Sequence, residues 1–321
     1  MHTSLFFKLF PPPKFLIMKH AGLDISDDAI HCLEYSGKAP NFRISKFSST
    51  PLPKGTVEAG EIRDEKALVA ILSNIDHDLK LSYVKVAVPE EKSYLFQTDI
   101  STTDPLAIAQ NVEFKLEENV PMPASDSLFY FDILPMAVTG GKLRATVSVV
   151  PRVYVEQMVN VLRQSGITPI AFEVVPKSIS KAVLPLEEKK TVLLVQIMNN
   201  KTGIYIVSGG VVCFTSTVSW GSAIGGEGAD PSVLTQEIDR IYNYWLSHNV
   251  ETSKIGEVVV VGREASKYQS VIESTIIKYN LAVAVGNVWT NIFSVDKYVP
   301  PILKEDSLDY AVAAGLALDL K

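Results

Sequence analysis

The order of apolar and polar positions divides the chain into two halves that repeat one pattern. In the first half an apolar strand over residues 21–25 runs into the polar turn Ser26-Asp27-Asp28. An alternating strand follows over 30–35, then the turn Ser36-Gly37-Lys38, then a third strand over 42–48. A loop marked by Pro and Gly over 51–60 leads to a helix over 64–80, and an apolar strand over 84–88 closes the unit. The second half has a strand over 192–197, a polar turn over 198–201, a strand over 203–207 and the hairpin turn Ser208-Gly209-Gly210. A third strand over 211–218, a helix over 231–248 and a closing strand over 258–261 complete it.

A segment of different texture, residues 101–172, separates the halves. Its pattern predicts a helix over 104–119, strands over 128–134 and 143–149, a helix over 151–164 and a returning strand over 167–174. Pro151 suits a first helical turn and Gly166 the cap after the last one. That is enough chain for a small α/β subdomain.

A meander followed by a helical crossover makes a mixed sheet with helices on its faces. Two such units in one chain suggest a duplicated ribonuclease-H-like, actin-like bilobal α/β fold with a small α/β subdomain inserted. In that architecture the two strand-turn-strand hairpins face each other across a cleft, and their amides can cradle phosphates.

Composition narrows the function. Of 321 residues, 47% are hydrophobic and 21% charged, which excludes a disordered chain. The net charge of −6 comes with no basic run, so nucleic acid is not an expected partner. Cys32 and Cys213 lie far apart in apolar stretches and read as buried thiols. Five scattered histidines offer no zinc-ligand spacing. Apolar residues near the N-terminus are broken by Pro11-Pro12-Pro13, which disfavours a signal peptide. Residues 1–17 read as an arm packed on the body, with a membrane-touching tag as the alternative, and the chain reads as cytoplasmic.

The ordered motifs carry a resemblance. Gly22-Leu23-Asp24-Ile25-Ser26 is similar to a first phosphate hairpin, and residues 52–62 to the loop after the third strand. Within the inserted segment, Asn119-Val120-Pro121 follows the first helix and Ser165-Gly166-Ile167-Thr168-Pro169 the second. Glu237-Ile238-Asp239-Arg240 lies on the second-half helix, and residues 309–318 form a terminal helix expected to pack on the second lobe. Together, over nearly the whole chain after residue 18, they resemble the PilM family of type IV pilus assembly proteins and, more distantly, the division protein FtsA. The resemblance implies an arm at 1–17, a first lobe at 18–100, an inserted SHS2-like subdomain at 101–172, a return and linker at 173–189, and a second lobe at 190–321.

It also implies a cleft for ATP with Mg²⁺, in which Asp24 would hold the metal. Ser26, Gln196, Lys201 and Gly262 would line the cofactor site. The residues depart from that pattern at four places. Asp27 and Asp28 stand where small or hydroxylic residues are usual, and two like charges about 4 Å apart at an effective dielectric near 20 repel by about 4 kcal/mol. Gln196-Ile197-Met198 replaces an Asp-hydrophobic-Gly hairpin, so Met198 puts a side chain where backbone should approach phosphate. Arg263 follows Gly262 where a second glycine is usual, crowding a purine or stacking on it. Residues 221–228 form a Gly-rich loop, not a P-loop, in place of extra helices.

These losses favour a scaffold over an ATPase that drives assembly, and leave a small-molecule kinase without an assignable base. The resemblance implies a partner of the inner-membrane PilN type, whose tail enters a groove between insert and first lobe, with self-association as a further mode. Phe114, Phe129, Phe131, Val155 and Met158 are the candidate groove residues, though any one of them taken alone reads first as core packing.

Overall fold

The computed structural model describes residues 19–37, 41–100, 104–134, 143–221, 231–248, 254–294 and 296–318. The N-terminal arm and most of the Gly-rich loop lie outside them.

The first lobe begins with β1 (Ala21–Ile25), β2 (Ala29–Ser36) and β3 (Arg43–Pro51), an antiparallel meander. A short hairpin, β4 (Val57–Glu58) and β5 (Glu61–Ile62), precedes α1 (Glu65–Leu79) and β6 (Tyr83–Val88). The insert contains β7 (Tyr94–Ile100), α2 (Pro105–Asn119), β8 (Ser127–Ile133) and β9 (Leu143–Pro151). The chain returns through α3 (Arg152–Gln164), β10 (Thr168–Val174) and α4 (Val175–Val183).

The second lobe holds β11 (Thr191–Ile197), β12 (Thr202–Ser208), β13 (Val211–Val218), α5 (Ser232–His248), β14 (Ile255–Val261), α6 (Ala265–Ile276) and β15 (Ala282–Val285). Two short helices end it, α7 (Lys304–Ser307) and α8 (Ala311–Leu316).

The duplication predicted from the pattern is present in the sheets. The first runs β3-β2-β1-β6-β10 and the second β13-β12-β11-β14-β15. In each, an antiparallel meander is extended by two parallel strands reached through helical crossovers. The insert is a separate antiparallel sheet, β7-β9-β8. Its first strand, β7, falls before the expected start of the insert at residue 101 and has no counterpart in the sequence reading.

Local chemistry sets the helices. Asp64 caps α1, its side chain accepting from the Ala67 amide at 3.0 Å. Leu68, Leu72 and Ile75 repeat at helical spacing and are buried. Lys80 ends the helix in the left-handed region, its amide bonded to the Asp76 carbonyl. On α3, Tyr154, Met158, Val161 and Leu162 face the same core. Full burial of one such leucine contributes about 1.5–3 kcal/mol. Cys32 and Cys213 are both buried thiols, as read from the sequence.

Two expectations change. The linker expected within 173–189 contains the nine-residue α4, which opens with Pro176 in its first turn and buries seven of its residues. The terminal helix, expected on the second lobe, packs against β1, β2 and β6 of the first sheet and against α4. Its small residues explain this. A β-carbon on Gly315 would lie 1.7 Å from the Ser178 carbonyl oxygen, so the two helices approach backbone to backbone.

Candidate functional site

The two predicted hairpin turns do face each other. Between them lies a cavity of about 320 Å³, reached by Asp24 and the 26–28 turn from one lobe and by Gln196, Met198 and Lys201 from the other. Gly262 and Arg263, after β14, and Asp309, before α8, border it. The turns are built alike: the Ser26 amide bonds the Ala29 carbonyl, and the Met198 amide bonds the Lys201 carbonyl, each at 3.0 Å.

Ser26 is occupied within its own turn. Its hydroxyl donates to the Ala29 carbonyl at 2.9 Å and accepts from the Ala29 amide at 3.1 Å. Asp27 turns its carboxylate onto the amides of Ala59 and Gly60, at 3.0 Å each, and both Asp27 and Asp28 border the cavity.

Asp24 is buried at the end of β1. Burial, then repulsion from Glu90, pushes its pKa up to about 7, against a smaller opposing pull from Lys201. Glu90 is also raised, by burial first, although the Tyr205 hydroxyl and Lys201 favour its charged form. Tyr205 is wholly buried, and its hydroxyl meets Glu90 and also Gln196 Oε1, the latter at 2.9 Å. The Lys201 ammonium is bound by Glu91.

Gly262 has φ +103°, and a β-carbon there would lie 2.0 Å from the Ile197 carbonyl oxygen. Only glycine suits this close passage between β11 and β14. Arg263 borders the cavity and is engaged by two acids. It donates from Nε to Asp309 at 2.7 Å and pairs through Nη2 with Asp306 at 3.2 Å.

This donor set does not fit a magnesium–nucleotide complex. Both long basic side chains bordering the cavity already hold carboxylates, while Asp24 and Glu90 repel each other beside the space phosphates would enter. Gln196 is held by Tyr205 and supplies no charge. Among the described residues, no group of three or more His, Cys, Asp or Glu side chains is placed to hold a metal ion.

A second cavity, of about 440 Å³, opens where the insert meets the first lobe. Val88, Leu128, Phe129, Val150, Val155 and Phe172 make its walls apolar. β8 and β10, which border it, are end strands of their sheets. A charged strap crosses one side: Lys177 on α4 bonds Asp132 on β8 at 2.7 Å and sits 4.2 Å above the Tyr130 ring. Opposing effects act on Lys177: burial, the largest, lowers its pKa, but Asp132 with Tyr130 and Glu173 together offset this and raise it.

The five groove candidates separate in space. Phe129 and Val155 line this cavity. Phe131 packs on the insert's own core. Met158 is buried under the first sheet, and Phe114 projects from α2, 76% exposed. The sequence reading did not single out Tyr130, Phe172 or Lys177; their aromatic and basic character on β8, β10 and α4 was the available signal, but the facing of those elements was not.

The sequence profile of a family described as type IV pilus assembly protein PilM matches residues 22–257. A solved structure of a PilM-PilN type IV pilus biogenesis complex aligns with a TM-score of 0.77 and 19% identity, covering 94% of this chain and 98% of that one. The cytoplasmic domain of EpsL, an inner-membrane component of the type II secretion system of Vibrio cholerae, aligns at 0.48 and 12% identity, covering 92% and 94%. The ethanolamine utilization protein EutJ from Carboxydothermus hydrogenoformans aligns at 0.47 and 12%, covering 96% and 90%. No curated protein sequence matches this chain. Among the described residues, no helix is long and apolar enough to cross a membrane.

Proposed function

The chain belongs to the type IV pilus assembly protein PilM family, and from that premise we propose that it is an actin-like scaffold of pilus assembly that captures the tail of a PilN-type membrane partner. The observation that carries this reading is the apolar groove between insert and first lobe, walled by Val88, Leu128, Phe129, Val150, Val155 and Phe172. Apolar side chains of an extended tail would fill it, and the free edges of β8 and β10 offer backbone groups alongside. The similar fold, solved as a PilM-PilN complex, supports the class of partner. With its partner in the inner membrane, the scaffold would work at the cytoplasmic face, and copies would stack as actin-like lobes do.

Asp24, a buried carboxyl at the end of β1, favours the second reading, an Mg-ATP-dependent motor. The engaged basic side chains and the Gln196–Tyr205 bond weigh against it. Calorimetric titration with Mg-ATP, with phosphate release in parallel, separates the two. The scaffold reading expects neither binding at millimolar nucleotide nor release; micromolar binding with release abolished by Asp24→Ala would install the motor instead.

A further inference from the structure

Side chains of the two lobes are bonded to one another across the cleft, at its lining and just beside it. The single turn of 3-10 helix Glu90–Lys92 follows β6, at the mouth of the cleft. From it, Glu90 reaches the Tyr205 hydroxyl on β12 and Glu91 reaches the Lys201 ammonium in the β11–β12 turn. Both contacts join the first lobe to the second. Neither carboxylate is a chance neighbour. The Lys201–Glu91 pair is largely shielded, with side-chain exposures of 18% and 23%, and Tyr205 has no solvent exposure at all.

A second tie crosses the far side of the cavity. Arg263 leaves the second sheet directly after β14 and forks onto Asp306 and Asp309. Those acids sit at the start of the segment that carries α8, which is seated on the first sheet. Thus both long basic side chains bordering the cleft are spent on bridging the lobes.

We propose that these contacts form an internal latch: Glu90–Tyr205 and Glu91–Lys201 on one side, with Arg263–Asp309 on the other, hold the two lobes closed without any nucleotide. The latch replaces the phosphate bridge with carboxylates carried by the protein itself. Its position gives it a route to the groove, since Val88, which walls the groove, lies two residues before Glu90. The inference concerns lobe closure alone and does not depend on which partner the groove holds.

Spin labels at Asp78→Cys on α1 and Glu273→Cys on α6, both exposed, report the distance between lobes. Cys32 and Cys213 need not be removed, because burial pushes both thiols up to about 12. The latch predicts one narrow electron-electron distance in the ligand-free protein, unchanged by millimolar Mg-ATP. Glu91→Lys should broaden it, and the charge swap Glu91→Lys with Lys201→Glu should restore it; Glu91→Gln, neutral and nearly isosteric, gives the same broadening should the lysine variant not fold. A broad distribution in the unsubstituted latch that narrows only on adding Mg-ATP would overturn the proposal. So would a charge swap that leaves the distribution as broad as Glu91→Lys alone.

Discussion

A β-carbon on Gly203 would lie 1.9 Å from the Tyr205 hydroxyl. The phenol therefore occupies space that only a glycine leaves open, and from there it reaches Gln196 Oε1, on the residue paired with Gly203 in the β11–β12 ladder. Gly203→Ala should expel the ring from this position and cost about 1–3 kcal/mol, as overpacking of a filled interior does. Tyr205→Phe keeps the packing but strips Gln196 and Glu90 of a shared donor, at a cost of about 1–3 kcal/mol. Denaturant midpoints of the two variants measure both effects.

Stability should decline as pH rises through the acidic range. Asp24 has its pKa raised from 3.8 to about 7, so between these values the folded protein binds more protons than the unfolded chain. The contribution is fully favourable below about 3.8 and is lost by pH 7, a change on the order of 4 kcal/mol. Glu90, also raised, acts in the same direction. Urea midpoints between pH 4 and pH 8 should fall with pH in the unsubstituted protein and flatten in Asp24→Asn. A slope as steep in Asp24→Asn as in the unsubstituted protein would show that Asp24 is not the group responsible.

Within the groove, Phe129→Ala should weaken binding of a PilN-type tail peptide about tenfold or more, the size of effect of a central aromatic anchor. Val155→Asp, which sets a charge against an apolar wall, should do at least as much. Phe114→Ala should leave affinity unchanged, since that ring stands in solvent on α2. Fluorescence anisotropy of a labelled peptide reads all three.

Met158→Ala should behave differently from the groove variants. The side chain is 2% exposed beneath the first sheet, so truncation should cost about 2–5 kcal/mol of stability. The folded fraction should still bind peptide normally. Thermal unfolding followed by anisotropy at a temperature where the variant is folded separates the two properties.

The backbone of this protein was largely legible because its strands alternate or run apolar and its helices repeat at 3.6 residues. β1, β2, β11 and α1 carry those signals plainly. α4 escaped because it is short and opens on Val175-Pro176, which reads as a linker; only its docking against α8 makes it a helix worth burying. β7 escaped because Tyr94–Ile100 is half-buried on both faces and follows directly on a turn. The cleft was legible as a location, and Asp24, Gln196, Lys201 and Gly262 do border it. Its chemistry was not. Glu90 and Glu91 belong to no motif, and their contacts with Tyr205 and Lys201 span more than a hundred residues, so nothing local announces them. Arg263 showed the same limit: a bulky residue beside Gly262 reads as an obstacle to a base, yet its guanidinium is drawn away by Asp306 and Asp309.

The most direct test of the scaffold reading is calorimetric titration of the purified protein with a synthetic N-terminal tail peptide of a PilN-type partner, beside the same titration of Val155→Asp. The account predicts saturable one-to-one binding by the unsubstituted protein in the absence of nucleotide, lost in the variant while its melting temperature is kept. Binding of equal strength in both proteins, or none in either, would contradict the assignment of the groove.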